Sequence, residues 1–140
     1  MQKQTSIYLA PIIASIGVLF LGFCIGSWFD LYTRFALFDK VVHFLGGGTI
    51  AFFFSRYYQS ELHLFSNWNK VLVLVAFACF VGVFWEFAEY ASSQLLPDYA
   101  PFIYKHFYIG TMGDTLGDLL ADMLGGAVFA FFLLRQKQED

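Results

Sequence analysis

The apolar positions of this chain fall in long runs rather than in alternation or along one helical face. Ile7 to Phe29 contains no charged residue, and a run of that length crosses a hydrocarbon core of about 30 Å as one helix. Three further runs, about 41–58, 71–91 and 115–134, are apolar at one end and carry ionisable residues at the other. The pattern predicts an all-α fold, a polytopic membrane protein built as a bundle of four transmembrane helices in one domain over residues 1–140. Residues 92–113 form the one long connection. Its Pro97, Tyr99, Pro101, Phe102, Tyr104, Phe107 and Tyr108 suit a segment lying at the lipid–water interface.

The first run is longer than the apolar core of a signal peptide and ends without an A-x-A cleavage site. Ahead of Cys24 stands Phe23, too bulky for a lipoprotein cleavage motif, so the run reads as a retained helix. Pro11 lies near its start, where a missing backbone donor matters least. Composition sharpens the picture: 59% of residues are hydrophobic and 14% charged, against about half and about a quarter in soluble domains. A bilayer is the simplest solvent that takes up that apolar excess. Net charge is −3 with no basic run, which argues against nucleic acid as a partner. Cys24 and Cys79 lie within apolar runs and form neither a CxxC nor a zinc pattern, so they read as buried free thiols.

Lysine and arginine counts set the orientation. With the amino terminus inside, Lys3, Arg56, Lys70, Arg135 and Lys137 are cytoplasmic, and Arg34, Lys40 and Lys105 are outside. This bias places both termini in the cytoplasm. Asp39, Lys40 and His43 then open the second helix, Glu86 and Glu89 close the third, and Asp114, Asp118 and Asp122 open the fourth. All meet at one level, on the extracytoplasmic side. The inner halves, Val71 to Phe84 and Ala127 to Leu134, are apolar apart from small residues.

In Asp114-Thr-Leu-Gly-Asp118-Leu-Leu-Ala-Asp122 the carboxylates recur every fourth residue and share a helical face. Glu86 and Glu89 share another. A carboxylate near the bilayer centre carries a penalty of ~2.5–3.5 kcal/mol on insertion scales. A cluster of them persists only with cations, shared protons or water. The site expected from this is an acidic intramembrane pocket. His43, Glu86, Glu89, Asp114, Asp118 and Asp122 are candidate metal ligands, and Asp118, Asp122, Glu86 and His43 are candidate acid–base residues. A hard divalent cation, Mg²⁺ or Mn²⁺, suits such donors. The blander alternatives are that Asp39 and Asp114 are N-caps, that Trp85 is a packing aromatic, and that the cluster is a polar network fixing helix register. Gly46-Gly47-Gly48 and Gly125-Gly126 would let the second and fourth helices approach closely beneath the cluster.

Three ordered motifs, Asp39-Lys40-x-x-His43, Trp85-Glu86-x-x-Glu89 and Gly113-Asp114-Thr-x-x-Asp118-x-x-x-Asp122-x-x-Gly125-Gly126, resemble the VanZ-like group of small bacterial membrane proteins, and its YjdF-like branch more closely. The resemblance covers about residues 35–130 and implies a four-helix protein of the bacterial plasma membrane. Glu89 stands where VanZ-like proteins usually have glutamine, and no arginine lies between Arg56 and Arg135. The glycopeptide-resistance role is therefore not implied. Three functions fit the residues: a metal-assisted or acid–base enzyme acting on a lipid or envelope substrate, a proton- or cation-coupled transporter subunit (as an oligomer), and a non-catalytic partner-binding or envelope-stress protein.

The charge bias yields a direct test in a background with Cys24 and Cys79 replaced. A cysteine at Asp98 reacts with an impermeant thiol reagent in whole cells, and one at Gln138 only after permeabilisation. The reverse pattern would invert the protein.

Overall fold

A computed structural model describes residues 2–95 and 111–139. Every regular element among them is helical. Helix α1, Gln2–Phe20, runs on into a π-helical turn at Leu21–Gly26. There follow α2 (Leu31–Arg34), α3 (Phe38–Tyr57), α4 (Gln59–Leu62), α5 (Asn67–Leu95) and α6 (Met112–Glu139). Tyr8–Gly26, Asn67–Leu95 and Met112–Arg135 are each long and apolar enough to cross a membrane. The chain is therefore an all-α, multi-pass membrane protein. Helix α3 has the length, 20 residues, but Asp39, Lys40, Arg56 and its glycines dilute its apolar run. Among the described residues three spans rather than four meet the apolar standard.

The helices outrun their predicted cores. Residues 92–95 continue α5 and Met112 already belongs to α6, so the expected interfacial connection is shorter at both ends. Its remainder, 96–110 with both prolines, lies outside the described residues. Neither acidic residue proposed as an N-cap is one. Helix α3 begins at Phe38, one residue before Asp39. Ahead of α6 the Thr111 hydroxyl accepts the Asp114 N–H at 3.3 Å, filling the capping role itself.

Helix α3 packs against α6, α5 and α1. What allows this is small residues rather than large ones. The buried stripe of α5 is Val71, Leu74, Ala78, Gly82 and Glu86, and that of α6 includes Asp118, Ala121, Asp122 and Ala130. At the crossing of α3 and α6, a Cβ on Gly47 would collide with the Asp122 backbone, and one on Gly125 with the Phe44 carbonyl. The two backbones thus touch directly. At the far end Phe54 stacks on Phe77 with centroids 4.0 Å apart. The outward faces carry exposed Leu72, Phe80, Phe87, Leu120 and Phe132, the surface expected against lipid.

Gly125→Ala must push α3 and α6 apart. A loss of about 1–3 kcal/mol, as for overpacked cores, is expected as a lower melting temperature in detergent. At Gly17 a Cβ would meet nothing, so Gly17→Ala leaves the melting temperature unchanged or slightly raised.

Candidate functional site

The crossing of α3 and α6 fixes what lies beside it. With the backbones in contact, His43, one turn before Gly47, faces Asp122, one turn before Gly126. His43 Nδ1 and Asp122 Oδ2 are 3.2 Å apart. Space for the Asp122 carboxylate comes from α5, where a side chain on Gly82 would strike Oδ2. One turn further along α5, Glu86 enters the same level. His43, Glu86, Asp118 and Asp122 are all buried, between 2% and 7% exposed.

The second imidazole nitrogen organises the rest. His43 Nε2 lies 3.8 Å from Asp118 Oδ1 and 3.9 Å from Glu86 Oε1. Those two oxygens are buried side-chain atoms that accept no hydrogen bond among the described residues. Lys40 Nζ comes within 2.7 Å of Asp118 Oδ1, but as a charge contact rather than a directed hydrogen bond. The lysine's directed bond goes to Asp114 Oδ1 at 2.5 Å, with Asp39 Oδ2 at 3.6 Å. Five carboxylates (Asp39, Glu86, Asp114, Asp118, Asp122) thus face one lysine and one histidine. The cluster stays short of positive charge even with the imidazole protonated.

The candidate residues separate accordingly. His43, Glu86, Asp118 and Asp122 come together from three helices. Asp114 sits at the half-exposed rim, its carboxylate engaged by Lys40. Glu89 accepts the Trp85 indole N–H at 2.7 Å along its own helix. Trp85 therefore has a polar contact besides its packing on Phe23, 5.6 Å between centroids. Tyr32 from α2 is half-buried at the same rim. Burial, with Asp39 and Glu89 nearby, raises its phenol well above the ordinary value and keeps it neutral. Asp39 is the residue absent from the sequence-derived ligand set. Donor atoms of Asp39, His43 and Asp118 all lie within 4.8 Å of one another, a grouping that could hold a metal ion. The spacing of Asp39 and His43, at i and i+4 on one helix, was the available signal.

Such a cluster can do two things. Two donors bound at ~2.1 Å to one ion stand roughly 3 Å apart when adjacent and roughly 4.2 Å when opposite. The separations of 3.8 and 3.9 Å about Nε2 fall within that range. Alternatively, protons shared between the carboxylates relieve the same repulsion.

Residues 2–139 match a family described as "Predicted membrane protein (DUF2238)". An uncharacterized protein of Thermotoga maritima is 36% identical over 85 residues, covering 58% of this chain and 43% of that protein. The chain thus spans less than half the length of this relative. No solved structure matches it. These likenesses support a small membrane-protein family rather than the VanZ-like or YjdF-like group in particular.

Lys40→Met leaves Asp118 and Asp114 without their nearest positive charge. Removing one partner of a buried ion pair typically costs about 3–5 kcal/mol, and partial exposure of the lysine brings the expected loss toward or below the lower figure. Adding Asp118→Asn should restore part of that loss. A thermal double-mutant cycle reads the coupling, and strictly additive effects would show that the lysine does not compensate Asp118.

Proposed function

The chain belongs to the DUF2238 family of predicted membrane proteins, and on that footing we propose that it holds a divalent cation in an intramembrane acidic site and uses it on a lipid or envelope substrate. The observation that carries this reading is that two buried carboxylate oxygens face His43 Nε2: Glu86 Oε1, which accepts no hydrogen bond among the described residues, and Asp118 Oδ1, which has Lys40 Nζ at 2.7 Å. Leaving a buried acceptor unmet costs about 1–3 kcal/mol, more for a charged one. A cation beside Nε2 would meet Glu86 Oε1 and share Asp118 Oδ1 with Lys40.

In this reading the Nδ1–H of His43 donates to Asp122, which fixes the ring and leaves Nε2 free to ligate. Metal-bound histidines commonly use this carboxylate–histidine arrangement. Asp39, His43 and Asp118 supply the ligands, with Glu86 completing the set or acting as acid or base. One imidazole among carboxylates suits Mn²⁺ or Mg²⁺. The ion would polarise a substrate oxygen or activate water. Lys40 holds Asp114 and Asp118 in place at the rim. Four membrane-crossing helices with α3 among them, a bacterial plasma-membrane location, cytoplasmic termini, an outward-facing pocket and kinship to YjdF-like proteins belong to the same proposal.

Transport is the weaker reading. Beneath the cluster, residues 44–55 of α3, 71–85 of α5 and 123–134 of α6 contain no Asp, Glu, Lys, Arg or His. A relay would have nowhere to go within one subunit.

The test sets metal response against stability in one protein. Saturating Mn²⁺ at about 100 times its Kd stabilises a single-site protein by ~2.7 kcal/mol, so the wild-type melting temperature rises with Mn²⁺. Asp118→Asn abolishes that rise while leaving the metal-free melting temperature equal or higher, because one repelling charge is gone. A variant that loses stability without metal, and a wild type indifferent to Mn²⁺, would make the cluster structural glue.

A further inference from the structure

Beneath the acidic cluster is a cavity of about 300 Å³ whose walls are Val18 and Leu19 of α1, Val42 and Ile50 of α3, and Val81 and Trp85 of α5, with His43 and Asp122 at one end. Its volume is at the lower end of small-molecule pockets, ~300–1,000 Å³. Three of its lining residues are glycines: Gly47 and Gly82 lie against Asp122, while the space beside Gly46 is open, with Asp122 Oδ1 at 3.9 Å as the nearest atom. Two hydroxyls also border it, and both are turned back onto their own helices. Ser15 donates to the Pro11 carbonyl at 3.0 Å and Thr49 to the Gly46 carbonyl at 2.9 Å. An occupant therefore meets apolar wall everywhere except at His43 and Asp122.

We propose that this cavity binds one alkyl chain of a bilayer lipid, with the lipid's polar portion at His43 and Asp122. Three observations select that occupant. Helix α1 packs chiefly on α3, while the cavity takes walls from both α1 and α5. A chain can thus slip in sideways between two helices whose outer faces already meet lipid. The polarity of the cavity also runs the right way. Its charged end lies toward the start of α3, at the rim where Lys40, Asp39 and Asp114 gather. Its apolar end lies at Ile50, seven residues or ~10 Å deeper at 1.5 Å per residue. A lipid in the leaflet on that side has the same order, polar group outermost and chain toward the midplane. Finally, a free polar solute would find a single polar end and no further donors along the walls.

The proposal deepens the metal-site reading by naming its substrate class, and it rests on that reading for the chemistry but not for the binding. The test uses the full chain in phosphatidylglycerol vesicles doped with a lipid carrying a diazirine in mid-chain. After photolysis, peptide mapping is expected to place adducts on the cavity walls at Val18, Val81 and Trp85. Val18→Trp and Val81→Phe, which fill the cavity from opposite walls, are each expected to lose the adducts at the remaining wall positions while keeping those on exposed Leu72 and Phe80. Native mass spectrometry of the detergent-purified wild type is expected to show one retained lipid per chain, lost in both variants. Adducts confined to the outward faces, or wall adducts unchanged in both variants, would overturn the proposal, and the wild-type map decides even where a variant does not fold. Asp118→Asn separates the two readings. Wall labelling that persists in that variant without any Mn²⁺ response supports chain binding by itself, whereas a Mn²⁺-responsive wild type with bare walls retains the metal and refutes the lipid.

Discussion

Everything at this site follows from the contact of two backbones. Gly47 of α3 lies against the main chain of Asp122, and Gly125 of α6 against the carbonyl of Phe44. At that range a helix pair has no freedom to rotate, so the residues a turn away are placed by geometry rather than by their own attraction. His43 and Asp122 meet because the glycines meet. This is a usual solution where lipid removes the hydrophobic drive between helices and close van der Waals packing must hold them together. Here it also brings charged groups to one depth that would otherwise repel one another.

The rigidity so obtained is spent on an electrostatic imbalance. Apolar side chains fill the far end of the bundle, where Leu74 is buried and the Phe54–Phe77 stack closes the interior. The other end concentrates all the acidic residues of α3, α5 and α6 as far as Arg135, with Lys40 and His43, while Arg56, Lys70 and Arg135 lie at the far end. Lys40 reaches three of the carboxylates and His43 three, with Asp118 common to both. Lys40 and His43 thus tie α3 to α6 and α5 in a region where α6 offers only negative charge. Strong local attraction and a residual excess of negative charge thus coexist within a few ångströms, as expected of a site that binds something positive.

Much of this was legible in the chain. Long apolar runs identified α1, α5 and α6, and carboxylates every fourth residue on α6 put Asp118 and Asp122 on a common face. Paired glycines signalled the α3–α6 approach. What was not legible has physical causes. A helix-opening acidic residue reads as a cap, and whether Asp39 caps or turns inward depends on one residue of helix start, set by the turn before Phe38. Glu89 shares a face with Glu86 only loosely, and the indole of Trp85 one turn earlier captures it. Gly82 carries no periodic signal, because its role is the space it leaves for a carboxylate on another helix. The π-helical turn after α1 sets Gly22 and Gly26 beside Val42, Tyr32 and Phe38, neighbours invisible to local sequence.

The shallow position of the cluster has an electrical consequence. His43 comes five residues after the start of α3, a depth of ~7.5 Å at 1.5 Å per residue. With the start of α3 taken as the edge of a hydrocarbon core of about 30 Å, that would be roughly a quarter of the way across. Moving one charge through a full membrane potential of 100 mV involves ~2.3 kcal/mol, so a charge going only as far as His43 experiences about a quarter of that, ~0.6 kcal/mol. An ion or proton exchanging with a site at that depth would do so almost independently of whether the cell is energised. Occupancy of such a site would then follow the chemistry of the facing solution rather than the voltage across the bilayer.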